Sequence, residues 1–179
     1  MIGHEKKEYL ELLKRSAAII KRENPEAKVI MAIGAVDSNG LAFLEEFLSL
    51  GGGNYFDILG FHPYAANPYI RKDVFDKSVE TIKNIHKKYD NRWPLWITEI
   101  GQPTSEVSGE RQAELAEFVF KRAYEEKIPV VWFHYSDKKA PSNTTTGMGW
   151  GLLNTDGTPK PAFDRLKAFM RSVSGARIY

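Results

Sequence analysis

Apolar and polar positions along the chain switch repeatedly between two periods. Tyr9, Leu12, Leu13, Ala17, Ile19 and Ile20 recur at three-to-four spacing, which predicts an amphipathic helix. Asn24-Pro25 ends it, because the residue before a proline is pushed out of helical geometry. Residues 28–34 (KVIMAIG) are short, β-branched and apolar on both faces, the pattern of a strand covered on each side. A second helix is expected from Leu41 to Leu50, after which Gly51, Gly52 and Gly53 break the chain. Residues 56–62 (FDILGFH) read as a second strand. Asp73 is the expected N-cap of a helix whose apolar face is Phe75, Val79, Ile82, Ile85 and Tyr89. Residues 95–100 (LWITEI) form the third strand. Ser108 is placed to cap a helix carrying Leu115, Phe118, Val119 and Arg122. Residues 130–135 (VVWFHY) give the fourth strand, and a last helix begins near Pro161 and presents Phe163, Leu166, Phe169 and Met170.

Four strands alternating with helices imply βαβ crossovers and a parallel sheet, hence an α/β fold. A closed (β/α)₈ barrel needs about 250 residues. The chain has 179 and supplies four such units, so the expected architecture is a single half-barrel domain over residues 1–179. Composition narrows the function. With 42% hydrophobic and 27% charged residues, a chain of this length buries about 70% of its unfolded surface, enough for a core without staples. It has no cysteine, which removes thiolate nucleophiles, CxxC redox chemistry and Cys-ligated zinc. The 25 Lys and Arg are mixed with 23 Asp and Glu, with no run of like charge, so nothing favours nucleic acid as a partner. No apolar stretch approaches the about 18 residues of a membrane span, and the charged opening MIGHEKKEYLELLK lacks the apolar centre of an export signal. The expectation is a cytoplasmic protein with no membrane partner.

The chemistry-bearing residues collect at the carboxyl ends of the strands: Asp37 and Asn39, then His62, Pro63 and Tyr64, then Glu99, then Trp132, His134, Tyr135 and Asp137. Parallel α/β folds build their ligand sites at that end. The loops there are long, about ten residues after Glu99 and about two dozen between Asp137 and Pro161, against the usual two to six. Glu99 stands out. A carboxylate between Ile97 and Ile100 is costly to bury unless it points into a polar mouth with partners. The plainer alternative is a strand-end glutamate that caps the next helix or pairs with a lysine.

HPY (residues 62–64), WITEIG (96–101), VWFHYSD (131–137) and GWGLLNTDGTPKPAFDRL (149–166) together resemble the last four βα units of retaining (β/α)₈ glycoside hydrolases. The group includes family 39 xylosidases and iduronidases and family 5 cellulases. YLELLKRSAAIIKRENPEAKVIMAIGA is similar to the stretch that follows the acid/base segment in that clan. The resemblance implies Glu99 as the nucleophile, Tyr64 as the phenol that hydrogen-bonds it, and His62 as part of the sugar subsite. It further implies an aromatic floor for the sugar ring, Trp132 first and Tyr135 second. The substrate class implied is a β-linked oligosaccharide or glycoside, with no metal and no cofactor. Each role fits its chemistry: a phenol donor holds a carboxylate ionised for attack, and a flat ring suits the C–H face of a pyranose.

Retaining hydrolysis needs two carboxyl groups about 5 to 5.5 Å apart. The clan supplies the second from an Asn-Glu pair ending the fourth strand, a strand this sequence lacks; Glu5 falls on a helix and is a poor substitute. A half-barrel also has two unpaired edges and an apolar inner face, assigned here to Val29, Ile33, Ile58 and Ile97, features that promote association. The expectation is closure as a homodimer or with a complementary N-terminal half, the homodimer having little or no activity. Two other classes compete. One is a non-catalytic carbohydrate-binding or structural barrel fragment. The other is a metal-dependent hydrolase using His62, His134, Glu99 and Asp137, which lacks HxH or HExxH spacing. His4 and His86 are expected on solvated helix surfaces, and Trp93 and Trp96 between helix and sheet. GMGWG (147–151) lacks the strand, helix and lysine of a phosphate loop.

Overall fold

The computed structural model describes residues 2–64, 70–137 and 149–173, with the backbone alone for 2–5. The side chains of His4 and Glu5, the Gly147 end of the GMGWG stretch and the middle of the loop after Asp137 lie outside the described residues. The order is α1 (Ile2–Glu23), β1 (Ile30–Ala35), α2 (Ser38–Ser49), a 3₁₀ turn (Gly52–Asn54), β2 (Ile58–His62), α3 (Lys72–Lys88), β3 (Leu95–Ile100), α4 (Gly109–Glu125), β4 (Val130–Trp132) and α5 (Pro161–Val173). The strands form one parallel sheet in the order β1-β2-β3-β4. This is the half of a TIM barrel that the alternating periods predict.

Local chemistry moves several boundaries. Asp37 accepts hydrogen bonds from the amides of Asn39 (3.0 Å) and Gly40 (2.9 Å), so α2 starts at Ser38 rather than Leu41. Ser108 caps α4 as expected, accepting from the Arg111 amide at 3.1 Å. Asp73 does not cap α3: the N-cap is Arg71, and Asp73 lies in the first turn, 2.7 Å from the Arg71 guanidinium, where its charge suits the helix dipole. β4 ends at Trp132 rather than Tyr135. The Phe133 amide still donates to Ile100 O (2.9 Å), but the His134 amide turns to Trp150 O (3.3 Å).

Register decides which face each strand residue takes, because paired residues in a sheet project to the same side. Ile30 pairs with Ile58, Met31 with Leu59, Ala32 with Gly60, and Gly60 with Trp96. Met31, Leu59, Phe61 and Ile97 are fully buried under the helices, while Ile30 is 39% exposed. A Cβ on Gly60 would meet Thr98 and Ala32, which puts all three on the open face. The inner face is therefore Ile30, Ala32, Ile58, Gly60, Trp96 and Thr98. Val29, Ile33 and Ile97, expected there, fall at alternate positions and pack under the helices instead. The same parity corrects Trp96, which faces inward, whereas Trp93 does pack in the core, its indole N–H donating to Gly53 O at 3.0 Å. His86 is half-buried rather than solvated, its Nε2 accepting the Trp93 amide at 3.3 Å.

Candidate active site

The carboxyl end of β3 holds Glu99, and a change of register sets its direction. Ile97 pairs with Val130 and Ile100 with Trp132, so β3 has one more residue than β4 over that stretch. Ile97 and Ile100 both remain under the helices, fully buried, and the extra residue lets Thr98 and Glu99 both leave that side. Bulges of this kind re-aim side chains next to sites. Without the shift, strict alternation would send Glu99 into the core with Ile97.

β2 brings two partners. His62 follows Gly60 on the inner face, and a tight turn in which the Tyr64 amide donates to His62 O (2.9 Å) carries the phenol to the same end. Burial lowers the His62 imidazole below its ordinary value, and the Glu99 carboxylate pulls it partway back. Burial first, then the Glu99 charge, push the Tyr64 phenol far above its ordinary value. The Tyr64 hydroxyl is buried beside the Glu99 carboxylate but short of a well-formed hydrogen bond. The phenol is therefore a neutral donor with its proton still available at a carboxylate, which can hold that group ionised and oriented.

Aromatic placement departs from expectation. Trp132 is 8% exposed, packs towards Phe120 of α4 at 6.4 Å and donates its indole N–H to Trp150 O at 3.1 Å. Its parity with Val130 sends it under the helices, so it has no open ring face for a sugar. Tyr135 is 66% exposed, but it lines a groove of about 450 Å³ with Phe120, Leu152, Phe163, Leu166 and Met170, beside α5 and away from Glu99. Phe133 takes the next position in β4's alternation and turns inward, its ring 5.5 Å from Trp150. Trp150 in turn meets Tyr64 edge-on at 6.4 Å. Sequence reasoning passed over both Phe133 and Trp150; the signal for Phe133 was its parity opposite Trp132.

A buried polar clasp holds this wall, and no sequence pattern announced it. Lys160 is 5% exposed, pairs with Asp137 at 2.7 Å and donates to Gly149 O at 2.9 Å. Asp137 also accepts the Gly151 amide at 2.6 Å. Gln112, fully buried, donates to Gln102 O at 2.7 Å, and Gln102 Oε1 accepts the Ile70 amide at 2.8 Å. The strand-end segments after β2, β3 and β4 are thus fastened together around Trp150. The other strand-end carboxylates are committed: Asp37 caps α2 and Asp137 pairs with Lys160. Among the described residues, no group of three or more His, Asp or Glu side chains is arranged to hold a metal ion, and no helix is long and apolar enough to cross a membrane.

Comparisons with known proteins bear on the fold. In overall fold the chain is similar to a family 39 glycoside hydrolase from the gut symbiont Bacteroides cellulosilyticus WH2, with a TM-score of 0.68 and 24% identity over 87% of this chain and 35% of that one. GH5_18 from Streptomyces cattleya, in complex with GlcNAc, gives a TM-score of 0.72 at 18% identity, covering 96% of this chain and 44% of that one. Xylanase 10B from Thermotoga petrophila RKU-1, in complex with xylobiose, gives 0.66 at 18%, covering 91% and 52%. The chain thus spans about half or less of each. A search of curated proteins returned no match. The family model described as the glycosyl hydrolase catalytic core matches residues 8–164, and the chain belongs to that family.

Proposed function

We propose that the chain carries the nucleophile side of a retaining O-glycosidase site for a β-linked oligosaccharide or glycoside. Glu99 is the nucleophile, Tyr64 its orienting donor, and His62 a wall of the sugar subsite. The observation that carries the reading is the register shift at Glu99, which turns one carboxylate out of the core beside a buried, neutral phenol. Phe133 replaces Trp132 and Tyr135 as the ring on which a pyranose stacks, since it is the aromatic just after β4 that turns inward. Asp37 and Asp137 are held elsewhere, so the acid/base carboxyl at about 5 to 5.5 Å that retention requires comes from outside the described residues. The chain by itself is then inactive or weakly active on substrates whose leaving group must be protonated.

The test uses a leaving group that needs no acid. A 2-deoxy-2-fluoro glycoside bearing dinitrophenolate lets the Glu99 carboxylate attack the anomeric carbon while the C–O bond breaks and the phenolate departs. The expected result is a glycosyl ester on Glu99, seen by mass spectrometry and absent in Glu99→Gln, with no turnover of alkyl glycosides by the same chain. The reading of a non-catalytic carbohydrate-binding fragment wins if oligosaccharides bind in a titration while Glu99 stays unlabelled.

A further inference from the structure

Lys160 grips both peptide groups that flank Trp150. On one side its ammonium donates to Gly149 O at 2.9 Å. On the other it pairs with Asp137 Oδ2 at 2.7 Å, and Asp137 Oδ1 accepts the Gly151 amide at 2.6 Å. Gly149 O is crowded. The Thr104 amide at 3.0 Å, and the Thr104 hydroxyl and Gln112 Nε2 at 3.2 Å, reach the same oxygen, which has two lone pairs to offer. Gly149 itself sits at a φ of 80°, and a Cβ there would collide with Thr104 Oγ1, so the turn takes glycine alone. With both flanking peptide planes held, the Cα–Cβ bond of Trp150 has one direction. Its ring then lies 5.5 Å from Phe133 and 6.4 Å from Tyr64. A Cβ on Gly101, two residues past Glu99, would press on the same ring.

Stability is a poor reason for such a hub. A buried ion pair gives up hydration that apolar side chains of the same volume never had, and replacing the whole pair by them is often neutral or stabilising. Lys160 is buried, so that cost applies to it. What the hub supplies is direction. We infer that Lys160 is a positioning residue for the glycosidase reaction. Through Trp150 it sets the inward ring of Phe133 and the phenol of Tyr64, and with them the sugar's anomeric carbon, relative to Glu99. This role deepens the glycosidase reading, on which it rests. Lys160 acts on the wall and not on the sugar. A misplacement of about 1 Å in a positioned group costs up to about a hundred-fold in rate, so a shifted wall shows in the rate of attack before it shows in the fold.

The test removes both charges together, because Lys160→Met combined with Asp137→Leu strands no ion. The dinitrophenyl 2-deoxy-2-fluoro glycoside is the probe, and its maximal labelling rate, its half-saturating concentration and the final fraction labelled are read separately. The double variant is expected to reach the parental fraction labelled at a maximal rate lower by about ten-fold or more. It should also change the near-UV circular dichroism that Trp150→Phe identifies as that of Trp150. Thr104→Val removes one donor from Gly149 O and leaves the ion pair; it should slow labelling by about three-fold, the scale of one neutral hydrogen bond, and it carries the test if the double variant does not fold. Lys83→Met, at the opposite end of the sheet, should label like the parent. An unchanged maximal rate overturns the inference. That holds whether the labelled fraction falls, as loss of folded chain would produce, or only the half-saturating concentration rises, as a weaker grip on the sugar would produce. If the parent takes no label, the glycosidase reading fails by itself and the Trp150 signal decides. Unchanged in the double variant, that signal overturns the inference too; changed, it leaves Lys160 as the residue that sets the wall.

Discussion

The two ends of the sheet are held by different chemistry. At the base, where the strands begin, Trp93 packs on Phe56 at 4.9 Å and Tyr89 at 6.0 Å, its indole N–H is matched by Gly53 O, and the ion pairs, such as Lys83 with Glu126, lie at the surface. At the mouth, a lysine and two glutamines are buried. The buried side-chain polar atoms without a partner among the described residues, Tyr64 OH, Thr98 Oγ1, Gln102 Nε2, Gln112 Oε1 and Trp150 Nε1, all belong to the mouth. An unmatched buried polar group costs about 1–3 kcal/mol. The base is therefore built for stability, and the mouth keeps polar capacity in place at a cost in stability, as sites do.

The sharpest way to break this contrast is to remove one cation from each end. Lys160→Met strands Asp137 in the buried clasp and should destabilise the fold by about 3–5 kcal/mol. Lys83→Met at the base should cost less than about 1 kcal/mol, since exposed pairs are screened. Urea denaturation of both variants measures the difference, and equal losses would erase it. Next in size is Gly101→Ala, whose Cβ would lie 2.1 Å from Phe133 O and 3.0 Å from the Trp150 ring. It should cost about 1–3 kcal/mol and alter the near-UV circular dichroism of Trp150, whereas Gly157→Ala, at a positive φ of 84° but with open space around it, should leave that signal unchanged. Ser108→Ala removes the α4 cap and should cost about 1 kcal/mol in the same denaturation series.

Tyr64→Phe should fall within about 1 kcal/mol of the parent, because it deletes an unmatched hydroxyl rather than a made bond, while slowing the labelling of Glu99 by the fluoroglycoside. A slower unfolding transition with unchanged labelling would assign Tyr64 to packing alone. The smallest expected effect is on pH dependence. Burial lowers both His62 at the mouth and His86 at the base below their ordinary 6.5. The unfolded chain therefore binds those protons more readily, and the stability present above pH 6.5 is lost as pH falls through the folded values. At His62 the Glu99 charge opposes the shift, so Glu99→Gln should steepen the loss of thermal stability below pH 6.5. A flatter profile in that variant would show that the carboxylate does not reach the imidazole.

Much of the fold was legible because it depends on local patterning. Leu12 and Ile19 against Leu13 and Ala17, or the short apolar run of residues 95–97, state helix or strand without reference to the rest of the chain. Glu99 was legible for a related reason, since a carboxylate among isoleucines has few places to go. What was not legible depends on parity and on distant partners. Trp132 and Phe133 differ by one position, and one position reverses the face; the register shift against β4 that frees Glu99 appears in neither strand's own sequence. Asp73 and Arg71 compete for one helix start, and only the backbone angles choose between them. Lys160 and Gln112 carry no sign of burial, because their burial is created by Asp137, Gln102 and the Gly149–Gly151 turn arriving from elsewhere.

Local patterning is enough for the alternation of four strands with helices, the end of the sheet where polar residues gather, and the carboxylate among them. These follow from periodicity, from turn and cap chemistry, and from the cost of burying a charge. Packing between distant segments settles which ring faces the site and which polar side chains fasten its wall. Those outcomes are set by strand register and by contacts between segments far apart in the chain, which no local pattern encodes.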